Sequence, residues 1–482
     1  MVQNASPAVE FPPASAEDWR ALVLKTLGDK PPESLTTTTA DGLTIAPLYD
    51  AGEGAPVPSR PFDPDRAWDL RAATRHPDPD RANADLLADL EGGAASVLIS
   101  LDPTAQAGVA VGSTEVLARV LEGVILELAP VALDAGFLGT QAADWLSGVA
   151  KASPTALLQF HLDPLSAFAR TGASPGPIEA HLFACAGAAA RHAVTYPQAQ
   201  LFLASGAMVH EAGGGAACEV AFAAASALAY AKAMVRAGMA MDQAFSRITL
   251  GLAAEADYFL TIAKLRAARL VWARLVGACG LDIPARIEAR SSQRMLTRRD
   301  PWTNMLRLTS AGFGAAVGGA DAVVLGAFTD ALGRPSPLAR RQSRNTQLVL
   351  MEEAHIGRVA DPAAGSGYVE ALTDQIARAA WSAFQVTEGL GGVVSALTAG
   401  HIAAEVETTC AARAEAGEPA IVGVTAFPPA KDEPVEVDAA PGAPVANAPS
   451  PRLPGPDGRC PPLAPLRISE PFETPNAEGA AQ

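Results

Sequence analysis

The seven histidines of this 482-residue chain are the first place to look for chemistry: His76, His161, His181, His192, His210, His355 and His401. None stands in HxxxH or HExxH spacing, so no two share a helix face as a zinc site needs. His210 is followed at once by Glu211 and then by Gly213, Gly214 and Gly215. An imidazole beside a carboxylate can move a proton at neutral pH, which makes the pair a candidate for acid/base work. The same two side chains can also hydrogen-bond as plain scaffold. Lys264, Arg266 and Arg269 recur at helical spacing in AKLRAARLVWARL, which reads as a solvated helix face or a subunit contact. The five cysteines, Cys185, Cys218, Cys279, Cys410 and Cys460, form no CxxC pair, so neither a zinc knuckle nor a disulfide framework is suggested. Reduced thiols fit a cytoplasmic protein.

A regular alternation of elements would position these groups. Short β-type runs are each followed by a longer helical stretch. They are 67–76, 96–102, 124–133, 157–163, 200–206, 246–255, 284–291 and 322–329. Eight βα units predict a parallel sheet closed into a (β/α)8 barrel, an α/β fold of the TIM-barrel type. In such barrels chemistry sits at the C-terminal strand ends. The residues to inspect there are Thr74, Arg75, Asp102, His161, Asp163, His210, Glu211, Arg247, Glu288, Arg290, Thr329 and Asp330. The apolar run SVLISLD is expected to close the barrel axis with Val97, Leu98, Ile99 and Leu101.

We divide the chain into an extended N-terminal arm (1–60), the barrel with trailing helices (61–416) and a Pro-rich tail (417–482). Residues 367–416 read as two outer helices. The stretch from Thr425 onward holds 14 of the 39 prolines, too many for a packed helix or strand run. The formal charge of −16 argues against a nucleic-acid partner, which needs a basic face. With 49% hydrophobic and 18% charged residues the chain is not broadly disordered, and 5% aromatics means an aliphatic core. The N-terminus lacks a secretory pattern, and no clean run of about 20 apolar residues places the chain in a membrane.

DPAAGSG (361–367) is similar to the cofactor loop of S-adenosylmethionine-dependent DNA methyltransferases. However, EEAHIGRVA before it is no apolar strand, and no NPPY-type motif follows. A Gly-rich turn capped by Asp361 is the simpler reading. Longer segments carry a different resemblance. LTIAPLYD (43–50), SGAMVHEAGG (205–214), IAKLRAARLVWARL (262–275), the segment 300–328 and the segment 339–373 resemble, in order, the cobalamin-dependent methylmalonyl-CoA mutases. The resemblance implies a (β/α)8 barrel followed by a cobalamin domain. It also implies radical interconversion of methylmalonyl-CoA and succinyl-CoA started from adenosylcobalamin.

Departures from that pattern decide the expected role. None of the seven histidines has Asp two residues before it, as the family's cobalt-ligating DxHxxG motif requires. PPLAPLRISEPFE (461–473) resembles the family's linker, and the sequence ends nine residues later, so we expect no cobalamin bound by this chain alone. The family's WTIRQYAG is matched by WDLRAATR, which puts Ala73 at the substrate-contacting Tyr. SGYHMQEAG is matched by SGAMVHEAG, which puts Ala207 at the Tyr and Met208 at the His, with His210 on the Gln. HCQTSG is matched by EARSSQ (288–293). Arg247 matches an arginine that the family uses on the CoA substrate. Catalytic residues are therefore expected to be absent, with Arg247, His210 and Glu211 as candidate substrate contacts. The resemblance implies the non-catalytic small subunit of a heterodimeric mutase, partnered by a catalytic large subunit that carries adenosylcobalamin. The alternative is a catalytic barrel that borrows a separate cobalamin-binding chain.

Overall fold

The computed structural model describes residues 15–28, 30–51, 57–58, 63, 66–431, 433–438, 442–445, 455 and 458–473; much of the predicted arm and tail lies outside them. Eight parallel strands form one closed barrel: β1 (Asp69–Thr74), β2 (Ser96–Ser100), β3 (Val131–Asp134), β4 (Leu158–Leu162), β5 (Gln200–Ser205), β6 (Ile248–Ala254), β7 (Ile287–Ser291) and β8 (Ala322–Val324). Each strand pairs with the next in sequence. β8 closes the ring on β1, with Ala322 beside Asp69 and Val323 beside Leu70. The predicted (β/α)8 barrel is thus the observed fold.

Local chemistry explains why the chain turns where it does. After β1, β4 and β8 the helix starts on a cap residue followed by proline: Asp78-Pro79, Asp163-Pro164 and Ser336-Pro337. In each case the cap side chain accepts a backbone N–H of the first turn, and proline's missing N–H costs nothing there. Ser113 and Asp257 cap the helices after β2 and β6 in the same way. The period-two rule then sorts each strand. Val97, Ile99, Val131, Leu133, Phe160 and Leu162 point outward into the aliphatic core against the helices. β6 is buried at every position, as a strand covered on both faces must be.

Several sequence expectations change. Of the four apolar residues expected to close the axis only Leu98 faces it, where it meets Ala132 and Val324; Val97, Ile99 and Leu101 belong to the outer core. The third strand is only Val131–Asp134, because Pro130 cannot donate to a ladder and residues 125–128 turn on the surface. The arm is not wholly extended: Ala16–Leu27 is a helix, started by a capping box between Ser15 and Asp18. The trailing region holds three helices, Gly367–Gly389, Val393–Thr398 and His401–Glu415. Gly391, Gly392 and Gly400, all with positive φ, make the breaks between them. One described helix, Ala216–Arg236, is long and apolar enough to cross a membrane, but 72% of its apolar window is buried inside the protein. The tail is not featureless. Leu463 is 3% exposed and its N–H donates to Ala169 O at 2.8 Å, while Ile468 N–H donates to Arg294 O at 3.0 Å.

Candidate functional site

The barrel axis is closed by charge. Arg71, on β1, is 2% exposed and its guanidinium is fully engaged. It donates to Asp69 Oδ2 at 2.7 Å, to Ser96 Oγ at 2.9 Å, to Gln159 Oε1 at 2.9 Å, and to Glu288 Oε2. Gln159 lies on β4, nearly opposite β1 in the ring, so this hydrogen bond crosses the lumen. Arg290, on β7, pairs with Glu288 at 2.7 Å and with Asp134 at 2.8 Å on β3, again from one wall to the other. Glu288 has no exposed surface. Burial would raise its pKa, but Arg290 and Arg71 hold it far below the usual carboxylate range. Asp134 is lowered for a similar reason, burial being outweighed mainly by Arg290.

Above this plug the C-terminal mouth of the barrel holds a cavity of about 790 Å³. Ala73, Ala207 and Met208 all line it, so the three positions singled out from separate segments share one wall space. Thr74, Arg75, Asp102, His161, Asp163, Glu211, Arg290 and Asp330 also line it. Pro465 of the tail reaches its rim. His161 sits at φ +47°, in the left-handed region that side chains rarely adopt, where the β4–β5 register shifts. Burial lowers its pKa to about 4, so the ring is neutral at pH 7. Burial raises Asp163 to about 6, against hydrogen bonds from the Tyr230 hydroxyl at 2.6 Å and Ser166 N at 3.2 Å.

His210 and Glu211 are built into the wall. The His210 ring contacts Ser292 Oγ at 2.8 Å and lies 3.5 Å from Glu219. Glu219 has no exposed surface and accepts Lys264 Nζ at 2.6 Å and Ala253 N at 2.6 Å. Burial alone would raise the Glu219 pKa; Lys264 and His210 bring it down to about 2. The Glu211 carboxylate accepts the backbone N–H groups of Gln293 and Arg294, each at 3.0 Å. The loop before them is fixed by close packing. A Cβ on Gly206 would run into the carbonyl oxygen of Glu219, so only glycine fits between strand β5 and the helix at 216–236. Arg247 is elsewhere: it precedes β6, at the N-terminal end of the barrel, with the plug between it and the mouth.

Other charged positions also turn inward. Lys264, Arg266 and Arg269, read as a solvated face, are 1–3% exposed. Arg266 pairs with Asp361 and with Glu370 at 2.6 Å, so Asp361 anchors a helix and caps nothing. Arg269 donates to Ala285 O at 2.8 Å and pairs with Asp321 at 3.0 Å. Arg71, Asp69, Asp134, Glu219 and Lys264 were absent from the sequence-based candidates. The alternation Asp69–Arg71–Ala73 and Glu288–Arg290 carried the signal, since period two puts each set on one face of its strand.

Among the described residues His161 and His76 line the mouth; His161 is enclosed at its floor, His76 lies between Asp438 at 3.4 Å and Asp78 N at 3.1 Å, and His210 is spent on Ser292 and Glu219.

A closed parallel barrel of eight strands with a cavity at its C-terminal mouth defines a (β/α)8-barrel protein. The methylmalonyl-CoA mutase family model matches residues 64–453, and the chain belongs to that family. It is 41% identical over 475 residues to the methylmalonyl-CoA mutase small subunit of Streptomyces virginiae, covering 92% of this chain and 75% of that protein. It is 36% identical over 475 residues to the small subunit of Propionibacterium freudenreichii subsp. shermanii, with coverages of 91% and 72%. To the methylmalonyl-CoA mutase of Cereibacter sphaeroides it is 29% identical over 461 residues, covering 87% of this chain and 65% of that protein.

Proposed function

We propose that this chain is the small subunit of a heterodimeric, adenosylcobalamin-dependent methylmalonyl-CoA mutase, that it is itself non-catalytic, and that it acts by supporting a catalytic large chain in the cytoplasm. The observation that carries this reading is the ion-paired plug of Arg71, Glu288 and Arg290. A CoA thioester needs a long arm accommodated along the barrel, and here hydrogen bonds between opposite walls cross that path. Ala73, Ala207 and Met208 supply no hydrogen bond to a reacting acyl group, and the loss of such donors costs orders of magnitude in rate. The likeness to proteins named as small subunits supports the same role.

Support for a partner comes from the surface. Helix Ala16–Leu27 buries none of its residues against its own chain and leaves Leu22 65% and Leu24 43% exposed. Unpartnered leucines of this kind fit an obligate interface. Arg307 and Arg344, by contrast, are spent inside the chain, on Asn304 and Val422 O and on Asp89. The cytoplasmic placement draws on five cysteines without disulfides. Co-expression with a catalytic mutase chain tests the reading. We expect a 1:1 complex by light scattering and a large chain that is more stable with this chain than without it. A lone monomer at micromolar concentration, beside a partner equally active and stable alone, would overturn it.

A further inference from the structure

We propose that the helix Ile178–Thr195 is the contact through which this chain pairs with a second copy of itself, antiparallel about a two-fold axis beside residue 185. This goes beyond the subunit role and uses a different helix from the one offered to the catalytic chain, so its failure would leave that role standing.

This helix is apolar on both sides. Its inner side, with Ile178, Leu182, Cys185, Ala186, Ala189 and His192, is buried on the barrel. The outer side of a surface helix is ordinarily polar and charged. Here it is a stripe of Ala180, Phe183, Ala184, Gly187, Ala190 and Val194, recurring at three- and four-residue steps. Phe183 is 61% and Val194 is 84% exposed. A Cβ on Gly187 would meet nothing within 4 Å, so no described residue covers the middle of the stripe. Two bulky apolar side chains flanking an open glycine form a knob and a hole on one face.

The occupant follows from the symmetry of the stripe. A two-fold contact is self-complementary, and in an antiparallel helix pair each residue meets the one at the mirrored position. About residue 185, Phe183 mirrors Gly187, Ala180 mirrors Ala190 and Glu179 mirrors Arg191. The ring of one copy therefore lies over the open glycine of the other, alanine faces alanine, and a carboxylate comes level with a guanidinium. Glu179 and Arg191 are the helix's only Asp, Glu, Lys or Arg residues. Arg191 is 64% exposed and its own-chain partner, Asp144, is 3.6 Å away, which leaves donors for a second carboxylate. The two charges cancel, so a chain of net charge −16 meets its copy on a neutral face. A parallel pair would instead set Phe183 against Phe183 and Glu179 against Glu179.

Sedimentation equilibrium and disulfide trapping of the purified full chain test this. We expect a dimer with a Kd of roughly 10–100 µM, because one helix face lies at the low end of specific interfaces. Phe183→Glu and Gly187→Leu change positions open to solvent. Each is expected to weaken the dimer at least about tenfold, with a melting temperature no lower than that of the wild type. Glu179→Arg is expected to weaken it about two- to fivefold, and adding Arg191→Glu to restore it. Ala184 lies beside the axis, so Ala184→Cys is expected to form a disulfide with its own copy under mild oxidation. Val194→Cys, which the pairing holds about 27 Å from its copy, is expected not to. Three results would each overturn the proposal: a chain still monomeric at about 200 µM, which would assign the stripe to another partner; a dimer unaffected by Phe183→Glu; or Val194→Cys cross-linking as fast as Ala184→Cys.

Discussion

The floor of the lumen and its mouth differ in how each departs from a working mutase barrel. At the floor, two arginines and three carboxylates from β1, β3 and β7 pair within and across the lumen. At the mouth, the departures are small or apolar residues, Ala73, Ala207 and Met208, around an open cavity. One region is filled and the other is emptied. Emptying a cavity that faces solvent strains nothing and can be reversed by substitution. Filling the axis with paired charges builds an interdependent unit, because removing one member strands the others in a low-dielectric interior. If the chain is non-catalytic, as proposed, both regions contribute to that, and only one of the two changes is local.

Substitutions can separate the two regions. The largest effect belongs to the floor: Glu288→Leu leaves Arg71 and Arg290 without their shared carboxylate and is expected to destabilise the fold by about 3–5 kcal/mol. Urea unfolding measures it, and a change below about 1 kcal/mol would mean that the charges do not act as a unit.

His161, between floor and mouth, should report through pH. Its folded pKa of about 4 lies below the ordinary histidine value of 6.5, so as pH falls from 6.5 toward 4 the unfolded state takes up the proton first and wild-type stability is lost. Asp163, raised to about 6, works in the opposite direction, because the folded state holds its proton more tightly between pH 3.8 and 6. His161→Asn removes only the first contribution, and asparagine tolerates the positive φ. Relative to the wild type, this variant should gain about 2–3 kcal/mol between pH 7 and pH 4.5. A constant difference across that range would contradict a buried neutral ring.

Away from both regions the effects should be small. Arg20→Ala, which removes the exposed pair with Glu33, is expected to change stability by less than about 1 kcal/mol. Refilling the mouth alone, with Ala73→Tyr, Ala207→Tyr and Met208→His together, is expected to yield no mutase turnover, because the axis stays closed. Measurable activity from that triple variant would show that the mouth was the only block.

The barrel was legible because eight short β-type runs are each followed by a longer helical stretch. The third strand was read too long because VILELAPVAL is apolar apart from Glu127, while the meaning of Pro130 depends on the ladder it cannot join. The gathering of Ala73, Ala207 and Met208 came from motif comparison, and the geometry brought them to one cavity. The alternation put the charges of the plug on one face of each strand, but the pairing that makes the plug was not legible. A run of charged residues says nothing about its partner across a lumen, and Arg71 meets Gln159 and Glu288 only once the ring is closed. Lys264, Arg266 and Arg269 misled for the same reason: a basic helix stripe looks solvated until its carboxylate partners, Glu219, Glu370 and Asp321, are in place.

The central claim is that no CoA ester threads this barrel. Calorimetric titration of the purified chain with methylmalonyl-CoA and with succinyl-CoA tests it directly. We predict no saturable binding of either up to about 1 mM, with Glu288, Arg71 and Arg290 closing the path. Micromolar binding of either ester, weakened by substitution at Arg247, would show an open axis and contradict the account.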